Sequence, residues 1–238
     1  MSIHQQLSTI IGHDDILIDI KRTLTLKKIA IKVKDKRVTI KVPFFINNNL
    51  IKQLVNRKLS WIKKKLNIQS KFLPFKKKSY VNDEKFLYLG KYYKLKILKN
   101  KKYSVNIEGD FLRVNVKDEL NILKVKKLLK EWFREKSFIY FQKETLNYAK
   151  INNLKINSVK VREYKARWGS CSNNADISFN WRLIMAPPKI IEYVIIHELM
   201  HIKEHNHSPK YWNYVKSLYP NINEAKEWLM YNGQTLNI

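Results

Sequence analysis

His197, Glu198 and His201 stand in the pattern His-Glu-x-x-His at the end of an apolar run, and His205 and His207 follow closely. On a helix a four-residue step turns the chain by about 400°, so His197 and His201 project from nearly one face, a turn apart. Two imidazoles at that spacing can share a metal ion. Glu198 is offset around the helix, where its carboxylate reaches a metal-bound water without ligating the metal. The chemistry implied is that of a zinc-dependent hydrolase. The apolar side chains of Ile190 to Ile202 run nearly all round the helix, which predicts a buried one. Two histidines and a glutamate are costly to bury there unpaired, and a metal resolves all three together. Core histidines bonded to backbone carbonyls are the competing account.

A third ligand must come from outside that helix. His205 lies eight residues beyond His197, about 12 Å along a straight helix axis, whereas zinc needs its ligand atoms about 2.0 to 2.1 Å from one point. His207 would fare no better on a continuing helix. A break changes this: Asn206 tolerates the left-handed conformation that ends helices, and Ser208-Pro209 reads as an N-cap and first-turn proline of a new helix. His207 then sits in a tight corner that swings it back, and it is favoured over His205 as third ligand. Glu224 and Glu227, on a later predicted helix, are the fallback. For an oxyanion, Arg182, Tyr211 and Arg167 qualify by chemistry alone, with packing or surface roles as the alternative.

The elements that position these residues come from periodicity. Leu17 to Val42 alternates branched apolar with charged residues, predicting strands of a half-exposed antiparallel sheet paired through a turn at Asp35-Lys36. Asn47 to Asn67 changes to helical spacing, with Asn as N-cap and Leu50, Leu54, Lys58, Trp61, Ile62 and Leu66 as the stripe. Strands are expected over Phe86 to Ile97, meeting near Gly90, and over Ser104 to Val116 around Gly109-Asp110. Asp118 to Lys150 lacks Pro and Gly and reads as one long helix or two in tandem. Ile156–Tyr164 and Asp176–Ile184 read as strands of a hairpin joined by the polar stretch Arg167 to Asn174, where Gly169 and the paired asparagines supply turn conformations, and the hairpin leads through Pro187-Pro188 into the motif helix. The strand Asp176–Ile184 could pair with an extended substrate. The expected fold class is α+β, with a β-rich N-terminal portion at 1–115 containing one amphipathic helix, then a helical domain at 116–238 carrying the β-hairpin and the metal motif.

Composition narrows the setting. The 238 residues carry ample apolar content for a core, and Cys171 is the single cysteine, so an intrachain disulfide is excluded. His13, Asp14, Asp15 and Asp19 precede the first lysine, the wrong charge order for a secretory signal, and apolar runs stay well short of the roughly 18 residues of a membrane span. A soluble cytoplasmic protein is expected. The formal net charge of +27 suits phosphate backbones, yet abundant Lys, Asn and Ile with scarce Gly and Pro also describe a chain of AT-rich coding.

Arg167-Trp168-Gly169-Ser170-Cys171-Ser172, Asn180-Trp181-Arg182-Leu183, Ala186-Pro187-Pro188, His197-Glu198-Leu199-x-His201 and Asn206-His207-Ser208-Pro209-x-Tyr211-Trp212 together resemble the YgjP-like metallopeptidase family, related to the SprT-like zincins. The specific motifs cover about residues 160 to 215; Tyr88-Leu89-Gly90-Lys91 and the β-rich first half are similar less specifically. The resemblance implies a zincin-like C-terminal domain, His197, His201 and His207 as zinc ligands, and Glu198 as catalytic base. The implied reaction is hydrolysis of a peptide or protein substrate. Glu198 would take a proton from zinc-activated water and pass it to the leaving amine. Where metzincins have a helix-ending glycine three residues after the second histidine, this chain has Glu204. Two other readings compete: a nucleic-acid-associated zinc protein, such as a SprT-like protease recruited to DNA-bound protein, and a metal-stabilised binding protein without turnover. Against the latter, a purely structural site needs no Glu198 and usually has four protein ligands.

Overall fold

Contacts divide the chain of this computed structural model into two units, Met1–Leu73 and Pro74–Ile238; residues 2–12, 16–24, 29–70 (less 35–36) and 78–238 are described. In the first unit, Ser2 caps α1 (Ile3–Ile11) through a capping box with Gln5, an element the periodicity argument did not anticipate. Three strands follow, β1 (Leu17–Thr23), β2 (Ala30–Lys34) and β3 (Arg37–Pro43). β2 and β3 pair antiparallel with Lys34 opposite Arg37, while the turn expected at Asp35-Lys36 lies outside the described residues. β1 runs parallel to β3, so the sheet is mixed rather than antiparallel. Alternation in β3 buries Val38, Ile40 and Val42.

The single helix expected over Asn47 to Asn67 is two. Asn47 caps α2 (Asn48–Arg57) as expected, Lys58 breaks the helical path at φ −102° and ψ 8°, and α3 (Leu59–Ser70) follows. The break re-phases the apolar stripe: Ile51, Val55, Ile62 and Leu66 are buried, whereas Leu50 and Trp61 are exposed.

In the second unit, β4 (Lys85–Tyr88), β5 (Lys91–Lys99), β6 (Ser104–Glu108) and β7 (Phe111–Val116) form a sheet of order β4-β5-β7-β6. Its buried face joins one core with α4 (Ile122–Ile151), a single 30-residue helix, through Leu112, Val114 and Val116 on the strand and Val125, Leu129 and Phe133 on the helix. The boundary expected at 115/116 therefore falls inside this unit. Gly90 explains the close approach at the β4–β5 turn: its φ is +78° and an added Cβ would lie 2.9 Å from Pro187 Cα. There the Leu89 and Gly90 amides donate to the Ile184 and Met185 carbonyls, tying the turn to the entrance of the motif helix.

A smaller sheet has the order β8-β10-β9, from β8 (Ser158–Arg162), β9 (Gly169–Cys171) and β10 (Asp176–Asn180). β8 and β10 are parallel; the hairpin is β9–β10. Thus the two expected strands are not hairpin partners, and the supposed connector supplies the missing strand. β10 also stops short of Ile184. Trp181, Leu183, Ile184 and Met185 are all buried, which alternation cannot achieve, and they form a 3-10 turn capped by Asn180. Then come α5 (Pro188–Met200), α6 (Pro209–Leu218) and α7 (Ile222–Asn232). Pro188 occupies the first turn of α5, where its missing amide costs nothing. Mixed α+β architecture holds throughout. Among the described residues, no helix is long and apolar enough to cross a membrane.

Candidate metal centre

α5 is buried nearly all round, so its position is fixed by packing before any metal is considered. His197 and His201 leave it on one side; the helix ends at Met200 and His201 is its cap. The corner that follows closes differently from the expected left-handed Asn206. Lys203 and Glu204 amides donate back to the Met200 carbonyl, and Asn206 Oδ1 accepts from the Ser208 amide at 2.9 Å. Among the described residues Asn206 is absent from the positive-φ set. Ser208 then caps α6 by accepting from the Tyr211 amide at 3.2 Å, with Pro209 in the first turn.

The corner turns His207 back onto the helix. Ligand nitrogens of His197, His201 and His207 lie within 4.8 Å of one another. His207 Nε2 and His197 Nε2 are 3.3 Å apart. Two nitrogens each about 2.05 Å from a tetrahedral zinc are separated by about 3.3 Å, so this pair already has the spacing of two ligand positions. His201 is oriented by a hydrogen bond from Nδ1 to the Glu204 carbonyl, 3.2 Å. A carbonyl only accepts, so Nδ1 holds the proton and Nε2 keeps its lone pair for a metal. Burial foremost, with the neighbouring imidazoles and Lys226, lowers the His197 pKa to about 3. It is therefore neutral, the form that ligates. Among the described residues His197 Nδ1 is buried without a partner, and Nε2 faces another imidazole. A cation at that junction offsets the cost of burying such a ring. The donor set fits a metal ion.

Glu198 faces the same cavity, about 530 Å³, and is only 5% exposed. Burial raises its pKa to about 8, partly opposed by the Arg167 guanidinium. Gly169, the first residue of β9, lies against it. An added Cβ would stand 2.5 Å from Glu198 Oε1 and 2.6 Å from Cγ. Gly169 was expected as a turn residue; its φ is outside the left-handed range, and its role is to leave room for the carboxyl.

A family model described as YgjP-like, metallopeptidase domain, matches residues 27–232. The chain belongs to this family. Membership makes it a metallopeptidase-domain protein and implies a metal ion. Among solved structures, the metallopeptidase zymogen of Pyrococcus abyssi abylysin is similar at 21% identity and a TM-score of 0.35, over 38% of this chain and 91% of that one. No curated protein matches.

In this YgjP-like site the remaining sequence candidates separate clearly. His205 is exposed at the cavity rim and stands apart from the convergent histidines. Glu224 and Glu227 are outside that cluster as well. Tyr211 is fully buried; its hydroxyl donates to the His197 carbonyl at 2.8 Å and its ring stacks on His201. That makes it a tie between α5 and α6. Arg182 is held by Glu163 and Asn237 beside a different cavity. Arg167 alone of the three oxyanion candidates lines the metal cavity. Periodicity gave no hint of Tyr193 or Lys226, which also line it.

Proposed function

We propose that this protein is a zinc-dependent metallopeptidase that hydrolyses peptide bonds, with His197, His201 and His207 holding the zinc and Glu198 as general base. The observation that carries this is the convergence of three imidazoles with a buried carboxyl in one cavity. Zinc held there would acidify water and polarise the scissile carbonyl. Glu198 accepts the proton of the attacking water on a carboxylate oxygen and delivers it to the departing amine. Burial raises the Glu198 pKa to about 8 even with Arg167 nearby; a cation held by the histidines would lower it and favour the carboxylate that acts as base. Arg167 is placed to steady negative charge on the substrate side of the cavity.

The substrate backbone pairs with β9. β10, expected for this role, has both edges taken by β8 and β9, whereas β9 is an edge strand whose three residues line the cavity. The nucleic-acid-associated alternative rests on the net charge of +27 and on the resemblance to SprT-like proteases. A cytoplasmic location belongs to the proposal and is supported by the lone cysteine.

Purified protein should contain about one zinc per chain, lost in His201→Ala. Glu198→Gln should retain zinc and cleave peptides at least about 10²-fold more slowly. Metal-free wild type with full cleavage, or unchanged cleavage by Glu198→Gln, sinks the reading.

A further inference from the structure

The metal cavity holds two cationic side chains that the reaction does not require in pairs, Lys226 on α7 and Arg167 just before β9. Glu198 is the only carboxylate among the described residues lining it. In a chain with 47 basic and 20 acidic residues, a lysine at a rim is unremarkable on composition alone. Its placement is what separates it from the rest. The Lys226 ammonium lies 3.4 Å from the centre of the Trp212 ring, and Trp212 in turn stacks on His207, with centroids 5.4 Å apart and planes inclined by 19°. The residue as a whole is exposed, yet burial of its ammonium lowers its pKa. Among the described residues it forms no ion pair, whereas Lys130 and Arg182 pair with Glu163, and Lys160 with Asp176.

Arg167 is likewise unpaired with any carboxylate among the described residues; its guanidinium lies over the Tyr164 ring at 5.1 Å. A ring face orients a cation without neutralising it. A metal cation beside two such groups would leave the cavity strongly positive, because among the described residues lining it Glu198 is the sole carboxylate set against them. Holding these charges together is unfavourable until an anion enters. Arg167, Trp168 and Leu229 also line a second cavity of about 590 Å³ beside the first.

We infer that Lys226, assisted by Arg167, is a specificity residue that binds a carboxylate of the substrate close to the scissile bond, so that the preferred substrates are peptides bearing an acidic side chain or a free C-terminus at that point. This rests on the peptidase reading of the site and names its substrate class. Lys226 acts on ground-state binding and does not take part in proton transfer.

Direct binding tests this without requiring turnover. Zinc-loaded Glu198→Gln protein is titrated into four fluorescently labelled octapeptides of one Ala/Gly/Leu sequence, differing only in a central Glu or Gln and in a free or amidated C-terminus. A carboxylate should tighten binding by about tenfold over its neutral counterpart, as expected for one charge-assisted pair. Preference that follows the central Glu identifies a side-chain carboxylate; preference that follows the free C-terminus identifies an α-carboxylate. Lys226→Met should remove most of the preference, and Lys226→Glu should reverse it in favour of the neutral counterpart. Equal binding of all four peptides, or full preference retained in Lys226→Met and Lys226→Glu, overturns the inference. If wild type cleaves nothing while the binding preference stands, it is the peptidase reading that fails.

Discussion

The two walls of the metal centre are built on different physics. On one side α5 and β9 place His197 and Glu198 by packing: the helix is buried nearly all round, Glu198 is enclosed, and Gly169 presses against it. On the other side His207 is exposed and is held by caps, the Asn206 and Ser208 side chains and the Tyr211 hydroxyl. A packed wall resists small displacements, because voids and overlaps are both costly. A capped corner resists only as far as about 1 kcal/mol per cap allows. The proposed base, which must be aimed within a fraction of an ångström, is on the packed wall, and the proposed ligand His207, which a metal can itself draw into place, is on the capped one.

The largest separation between the walls should come from Gly169→Ala. Its methyl would overlap Glu198 Oε1, Cγ and Cδ, at 2.5, 2.6 and 2.8 Å, so the carboxyl must leave its present position. Turnover is expected to fall by about 10²-fold, the scale of a 1 Å misplacement. Stability should fall by about 1 to 3 kcal/mol. Zinc content should be unchanged, because no ligand is touched. Kinetics at saturating zinc, thermal melts and metal analysis on the same preparation check all three; loss of zinc would mean the walls are not independent.

Ser208→Ala is the converse. It removes the α6 cap that fixes the approach of His207, at a cost of about 0.5 to 2 kcal/mol in stability. The expected signature is weaker zinc binding, with turnover close to wild type once zinc saturates. A competitive chelator titration measures it. A turnover defect that excess zinc fails to rescue would place the corner in the chemistry and break the distinction.

The same division decides how much was legible in the sequence. The packed wall announces itself, since an all-round apolar run entered by Pro188 is a buried helix whatever its neighbours. At the corner, Ser208-Pro209 was readable as a cap, but the end of α5 was not. It falls at Met200, where 3-10-type bonds close the last turn, and Asn206 contributes a side-chain acceptor rather than a left-handed backbone. Alternation revealed strands but not partners: β1 and β8 each pair parallel with a strand that local patterning had made antiparallel. Gly169 was misassigned because a glycine kept for a neighbour's carboxyl looks, in sequence, like one kept for a turn. Lys226 was invisible, being one basic residue among 47 with its contacts made across the fold.

The smallest expected effect lies in the ionic cluster on the outer side of the packed wall. Glu163 Oε1 accepts from Arg182 Nη2 at 2.7 Å, and Oε2 faces Lys130 Nζ at 2.9 Å, joining the 3-10 turn before α5 to α4. Hydrogen bonds from Lys130 and Arg182 lower the Glu163 pKa to about 2 from 4.5. Because the folded-state value is depressed, the cluster stabilises the fold fully above about pH 4.5, and that contribution is lost as pH falls towards 2. Glu163 is partly solvated, so screening limits the contribution to about 1 kcal/mol or less. Glu163→Gln should therefore lower stability by a few tenths of a kcal/mol to about 1 kcal/mol at pH 7. The difference from wild type should shrink on acidification and vanish near pH 2, as denaturant melts across that range would show. Turnover should be unchanged at pH 7, since the packed wall takes its rigidity from apolar contacts. A turnover loss in step with the stability loss would show that the ionic cluster, and not packing alone, holds Glu198 in place.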